Sequence, residues 1–280
     1  MVALLLSCAA YALELPSINR SKIRLNLVPG KAEYGEILIE NQSSQPRSMK
    51  VYLSDWNYLP ASDGTKEFFP PNTTPLSAAS WISFSPAEFT MPPFSNQKIN
   101  YSVKVPQNVS GGYYAALFFE SVFGKVEGGQ ADFKAGMNLA IRIATLFYID
   151  VQGTVKRQAF INNLALTFDK SAKVYAIDAD FRNTGNVDIT LSGTYHIMDD
   201  QGMVLARGEF NDIYTFPGGT GKLKATNKTP LAKGNYTLVL TINLGKALEE
   251  ANVGRGPIMT KEANIEIGED GDLVNVGSLQ

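Results

Sequence analysis

The 280-residue sequence predicts an all-β protein built as two sandwich domains in tandem. Three observations predict it. Apolar and polar residues alternate with period two through most segments. Turn-forming residues separate those segments at a spacing of roughly ten residues, as in antiparallel sandwiches. Helical periodicity is almost absent, and the length allows about two domains.

The elements follow in chain order. Met1 to Ala12, MVALLLSCAAYA, is a short apolar run ending in Ala10-Tyr11-Ala12, a small-x-small pattern that fits a signal peptidase. Leu5-Leu6-Ser7-Cys8 loosely resembles a lipoprotein box with a lipid anchor at Cys8. The leucine two positions before Cys8 is unusual in such a box, so cleavage after Ala12 is the preferred expectation. Residues 13–152 are expected to form the first domain. Within it, Ile99, Tyr101, Val103 and Val105 share one strand face. Leu59 to Pro93 holds Pro60, Pro70, Pro71, Pro75, Pro86, Pro92 and Pro93, half of the 14 prolines, and reads as edge, loop and corner structure. Gly124 to Gly136 reads as a mobile hairpin loop before Leu139–Val151, the strongest strand signal in the chain. A boundary near Gly153 opens the second domain, residues 153–268. Its alternating sets are Tyr175, Ile177, Ala179 and Phe181; Val187, Ile189, Leu191, Tyr195 and Ile197; and Tyr236, Leu238, Leu240, Ile242 and Leu244. Asn183-Thr184-Gly185-Asn186 and Asp200-Gln201-Gly202 supply the turns. Leu76–Trp81 and Lys246–Asn252 could each form one helical turn. Residues 269–280, which open with Glu269-Asp270-Gly271-Asp272, read as a loose acidic tail.

Composition narrows the function. Lys+Arg is 25 and Asp+Glu 27, a net charge of −2, which gives no electrostatic footprint for nucleic acid. The single cysteine excludes a disulfide framework and cysteine-rich zinc sites, and suits an oxidising compartment if Cys8 is removed. His196, the only histidine, lies on a strand face opposite Tyr195 and Ile197, so no metal site is expected. No nucleophile elbow, zinc-protease helix or phosphate loop is present, and neither an enzyme nor a cofactor is predicted. No later run is long and apolar enough for an integral membrane span. Trp56 and Trp81 read as packing residues before sugar platforms.

The order of features in the first half carries a resemblance. Leu25-Asn26-Leu27-Val28-Pro29-Gly30 precedes Gly35 to Asn41, which ends in Ile-x-Asn. Val51–Trp56, Trp81–Pro86 and Gln97–Pro106 follow, then Gly111-Gly112-Tyr113-Tyr114-Ala115-Ala116 and the long Met137–Val151 strand. This resembles the periplasmic pilus-assembly chaperones of the PapD type, and is also similar to the WxL-interacting proteins of bacterial surfaces. The resemblance implies two tandem immunoglobulin-like β-sandwich domains and a periplasmic or other extracytoplasmic location. It implies partners that are secreted or pilus-type subunits, each lacking a strand that the chaperone lends. The lending face would be Met137, Leu139, Ile141 and Ile143, although the same alternation fits a strand packed on its own core. Such chaperones anchor a client's terminal carboxylate with an arginine and a lysine between the domains. Arg24 matches the arginine; Thr145 stands where the lysine is expected, with Arg142 three residues away. The expected function is an exported chaperone-like assembly factor; the alternative is a cell-surface binding module for a wall polymer, glycan or surface protein.

Overall fold

Period-two alternation becomes paired strand along most of the chain. The computed structural model describes residues 15–128 and 135–280, with side chains described outside 122–139. The signal-peptide reading of Met1–Ala12, with Cys8, lies outside the described residues.

In the first sandwich the strands are β1 (Ser17–Ile18), β2 (Lys22–Leu27), β3 (Ala32–Glu40), β4 (Arg47–Tyr58), β5 (Lys66–Phe69), β6 (Ile82–Ser85), β7 (Glu88–Met91), β8 (Asn96–Lys104), β9 (Gly112–Gly128) and β10 (Ala135–Val151). One sheet has the order β1-β3-β8-β6 and the other β2-β10-β9-β4-β5, with β7 also on β4. The alternating residues of β8 do what their pattern requires: Ile99 and Val103 are fully buried and Tyr101 nearly so, in a core shared with Ile37, Ile39, Leu117, Phe119, Phe147 and Ile149. The proline-rich stretch supplies only three strands, each four residues long, at sheet margins.

The opening segment changes sheets. Ser17 and Ile18 pair antiparallel with Glu40 and Ile39, whereas Lys22–Leu27 pairs parallel with Leu146–Val151 of β10. The crossing is closed by Thr145, whose buried hydroxyl donates to the Arg20 carbonyl at 2.6 Å, and by the Leu146 amide, which donates to the Ser21 carbonyl at 2.9 Å.

The second sandwich contains β11 (Ala159–Asp169), β12 (Val174–Asn183), β13 (Ile189–Met198), β14 (Val204–Thr215), β15 (Thr220–Asn227), β16 (Gly234–Asn243), the single helical turn α1 (Lys246–Glu250), β17 (Ile258–Ile267) and β18 (Leu273–Val276). Its sheets are β11-β12-β15 and β14-β13-β16-β17-β18. The predicted inward sets of β12, β13 and β16 form its core.

Two expectations need correction. The acidic tail is not loose along its length: Ile265 pairs with Val276, Glu266 with Asn275, and Gln280 exchanges backbone hydrogen bonds with Glu262. Leu273 and Val276 pack against the second core, and that burial outweighs the local glycine and aspartate content. The glycine-rich hairpin is also shorter than expected, since β9 and β10 stay paired out to Gly128 and Ala135. Met137 pairs with Val126 but Leu139 with Phe123, so β9 carries one extra residue there, a bulge that includes Gly124.

The loop after β5 is held by one carboxylate. Asp55 is fully buried and accepts from the Thr73 and Thr74 amides at 2.8 Å each, the Thr74 hydroxyl at 3.0 Å and the Ser77 hydroxyl at 2.5 Å. Burial alone would raise its pKa; the hydrogen bonds from Ser77, Thr74 and Thr73 outweigh it and hold the carboxyl below its usual value. The ionised form is therefore favoured by folding. Its contribution is complete above about pH 4, the ordinary aspartate range, and is lost as the pH falls through the lower folded-state value. Asp55→Asn removes the charge and replaces one accepting oxygen with an amide group that can only donate. It should cost about 2–3 kcal/mol in urea unfolding at pH 7 and flatten the acid limb of the stability curve relative to wild type.

Candidate functional site: the domain joint and the free edge of β10

The joint begins from the strand faces. Residues 114, 116, 146, 148 and 56 lie on the outer face of the β2-β10-β9-β4-β5 sheet, where a polar surface would be the simpler solution. Here that face carries Tyr114, Ala116, Leu146, Tyr148 and Trp56, and Phe216 of the second sandwich completes a buried cluster with them. Tyr114 and Phe216 stack at 3.9 Å, and Trp56 packs edgewise or tilted on Tyr58, Tyr148 and Phe216 at 4.8–5.3 Å between ring centroids. Trp56 is thus packing at the joint, and Trp81 packs on Tyr113 at the margin of the first core.

A charged group is set into these rings. Arg24 stands opposite Tyr148 in the β2–β10 pairing, with its guanidinium 4.0 Å over the Tyr148 ring. Its fork grips Asp188 just before β13: Nη1 donates to Oδ1 at 3.1 Å and Nη2 to Oδ2 at 2.6 Å. The side chains are 7% and 1% exposed. Arg157, in the connection between sandwiches, donates to Asp150 Oδ2 at 3.1 Å and lies 4.0 Å from Asp188 Oδ1. The Asp188 amide donates to the Tyr114 hydroxyl at 2.6 Å, and the Tyr58 and Tyr148 hydroxyls share a hydrogen bond of 3.2 Å. Burial lowers the Arg24 pKa, but the Asp188 charge and hydrogen bond outweigh it and hold it above the ordinary value. Burial pushes the Tyr148 hydroxyl up to about 12 and also raises Tyr58 and Tyr114. Burial also raises the Asp150 carboxyl, whose Oδ1 finds no hydrogen-bond partner among the described residues.

Two cavities flank the joint. One, of about 560 Å³, is walled by Trp56, Tyr58, Pro60, Tyr214, Phe216 and Pro217 and has no charged lining residue. The other, of about 810 Å³, is lined by Arg20, Lys22, Arg24, Glu33, Glu36 and Tyr148 on one side and Thr190 and Glu250 on the other.

The other sequence-derived residues lie along β10. Arg142 is exposed and pairs with Glu120, its Nε donating to Oε2 at 2.6 Å. It stands six residues before Tyr148, about 20 Å along the strand, so Arg24 and Arg142 do not converge. Ile143 is half-buried against the first core, Ile141 is half-buried, and the side chains of Met137 and Leu139 lie outside the described residues. What distinguishes this part of β10 is its backbone. β9 covers one edge throughout, but β2 covers the other only from Leu146 onward, and nothing among the described residues pairs with the second edge from Ala135 to Ala144.

Sequence reasoning does not single out Asp188, Arg157, Tyr114 or Phe216. Asp188 falls on the polar side of Val187 and Ile189 and reads there as a solvated residue. Only the other sandwich buries it.

Asp188→Ala leaves a buried guanidinium uncompensated and should lower stability by about 3–5 kcal/mol. Arg24→Leu combined with Asp188→Leu should cost clearly less than the sum of the single changes in urea unfolding. The backbone hinge beside the pair is equally constrained. Gly111 has φ +84°, and an added Cβ would lie 2.4 Å from the Asn186 carbonyl oxygen, which accepts from the Gly112 amide at 2.9 Å. Gly111→Ala should cost about 1–3 kcal/mol, read as a lower thermal midpoint.

No protein-family model and no curated protein matches the chain. Among solved structures it is similar to the class 5 fimbriae chaperone CfaA, at 14% identity over 88% of this chain and 98% of that one, with a TM-score of 0.49. It is also similar to a chain of a chaperone–tip adhesin complex of CFA/I fimbriae, at 14% identity over 88% and 98% with a TM-score of 0.48. A chain of the Salmonella enterica SafA pilin–SafB chaperone complex matches at 11% identity over 90% and 97%, with a TM-score of 0.42.

Proposed function

We propose that this protein is an exported, chaperone-like assembly factor that binds pilus or surface-protein subunits by β-strand addition. The observation that supports this reading is the edge of β10 from Ala135 to Ala144, which no described residue pairs with, in a strand whose other edge is paired with β9. An unpaired row of amides and carbonyls is a template for a further strand, and a natural sheet usually guards it with charge, proline or a cover. Here Arg142 is tied to Glu120, Ala140 and Ala144 are small, and no proline interrupts the strand. Backbone hydrogen bonds would supply general affinity, and the alternating Met137, Leu139, Ile141 and Ile143 would supply apolar side chains to a partner open along one groove. Arg24 is the proposed anchor for a client carboxylate at the base of the same strand. Arg142 would act as a second, more distant basic group beside the edge.

The test is affinity capture from a periplasmic extract, with wild type and the Leu139→Asp/Ile141→Asp variant compared after circular dichroism shows that both are folded. Wild type should recover a secreted subunit, identified by mass spectrometry, and the variant should lose at least about tenfold of it, as for a hot-spot pair. Recovery of no secreted partner, or equal recovery by the variant, would overturn the reading.

A further inference from the structure

We infer that Asp188 is a built-in occupant of a carboxylate site at Arg24, which keeps the cleft between the sandwiches closed until a partner's carboxylate takes Arg24 over. This rests on the strand-addition reading and adds a regulatory step to it. The recognition chemistry is already visible. Two parallel N–H···O bonds from one guanidinium are the geometry by which arginine selects any carboxylate, from its own chain or another. Arg24 also stands on the wall of the 810 Å³ cavity, which therefore gives a path to the fork; its lining is of mixed charge, with Arg20 and Lys22 beside Glu33, Glu36 and Glu250.

Exchange differs from rupture. Pulling Asp188 away would leave a buried cation without a partner, which the low-polarity ring cluster makes unfavourable. Replacing it with another carboxylate keeps Arg24 paired throughout. The released Asp188 is not stranded either, because Arg157 already stands 4.0 Å from its Oδ1 and water reaches it as the sandwiches part. Asp188 and Arg24 belong to different sandwiches, so occupancy of Arg24 and the angle between sandwiches are one equilibrium, which a ligand shifts by its preference for the open form.

The probe is the tripeptide acetyl-Val-Thr-Val, as the free acid and as its amide, titrated calorimetrically into the full chain. Asp188→Asn keeps the shape of the side chain but removes its charge and one acceptor, and should bind the acid about tenfold or more tighter than wild type does, within the usual range of coupling between sites. Neither protein should bind the amide, and Arg24→Lys should lose the acid. Equal acid affinity in wild type and Asp188→Asn would overturn the occupancy of Arg24 by Asp188 while leaving the carboxylate anchor standing. Absence of acid binding in both would remove the anchor and this inference with it. Asp188→Ala gives an independent reading: 0.1 M acetate should raise its thermal midpoint by about 2–4 °C over chloride at equal ionic strength, and no difference would count against a carboxylate-shaped vacancy at Arg24.

Discussion

A buried guanidinium gripped by a carboxylate from the other sandwich is the constraint on which the rest of this molecule depends. An arginine and an aspartate removed from water gain nothing unless their geometry is close to ideal. Here the surroundings supply it. Tyr148 lies under the guanidinium, the Tyr114 hydroxyl receives the Asp188 amide, and Phe216 stacks on Tyr114 to seal the far side. The rings exclude water and thereby strengthen the fork, and the fork fixes the direction in which the rings meet. The two sandwiches consequently share a small core of their own. The short turns around Gly111 and Asn186, and the seating of Ser62 on the Thr220 carbonyl at 2.7 Å, follow from that arrangement.

The sandwich architecture is legible in the sequence because it is written in short-range alternation. Ile99, Tyr101 and Val103, or Tyr236, Leu238, Leu240 and Ile242, need no knowledge of their neighbours to be assigned to a buried face, and all are buried. The joint is illegible for the opposite reason. Asp188 looks like any polar residue between two apolar ones, and its burial is decided by a residue 164 positions away. Arg24 stands out only through the order of motifs around it. Thr145 appears in sequence as the absence of a lysine, yet its hydroxyl closes the crossing from β1 to β2. The tail reads as loose because its glycine and acidic content is conspicuous, whereas Leu273 and Val276, which supply the burial, are few and widely spaced.

β10 is divided by this arrangement. Its C-terminal half carries Leu146, Tyr148 and Asp150 into the joint and is paired on both edges. Among the described residues its N-terminal half is paired on one edge only. A strand so divided can be rigid at one end and available at the other, a requirement for any backbone that offers itself for pairing without losing its own fold.

The crossing at residues 19–21 has a geometric consequence. It sets where cover by β2 begins, and so it meters the backbone left unpaired among the described residues beyond it: Ala135 to Ala144, about 33 Å at the usual rise per residue. The first few residues of the domain therefore work as a ruler. An earlier crossing would lay more of the opening segment along β10 and shorten the exposed template, and a later one would lengthen it. The span left open is about that of a single long strand, so it sets the length of segment that can pair along it, at about ten residues.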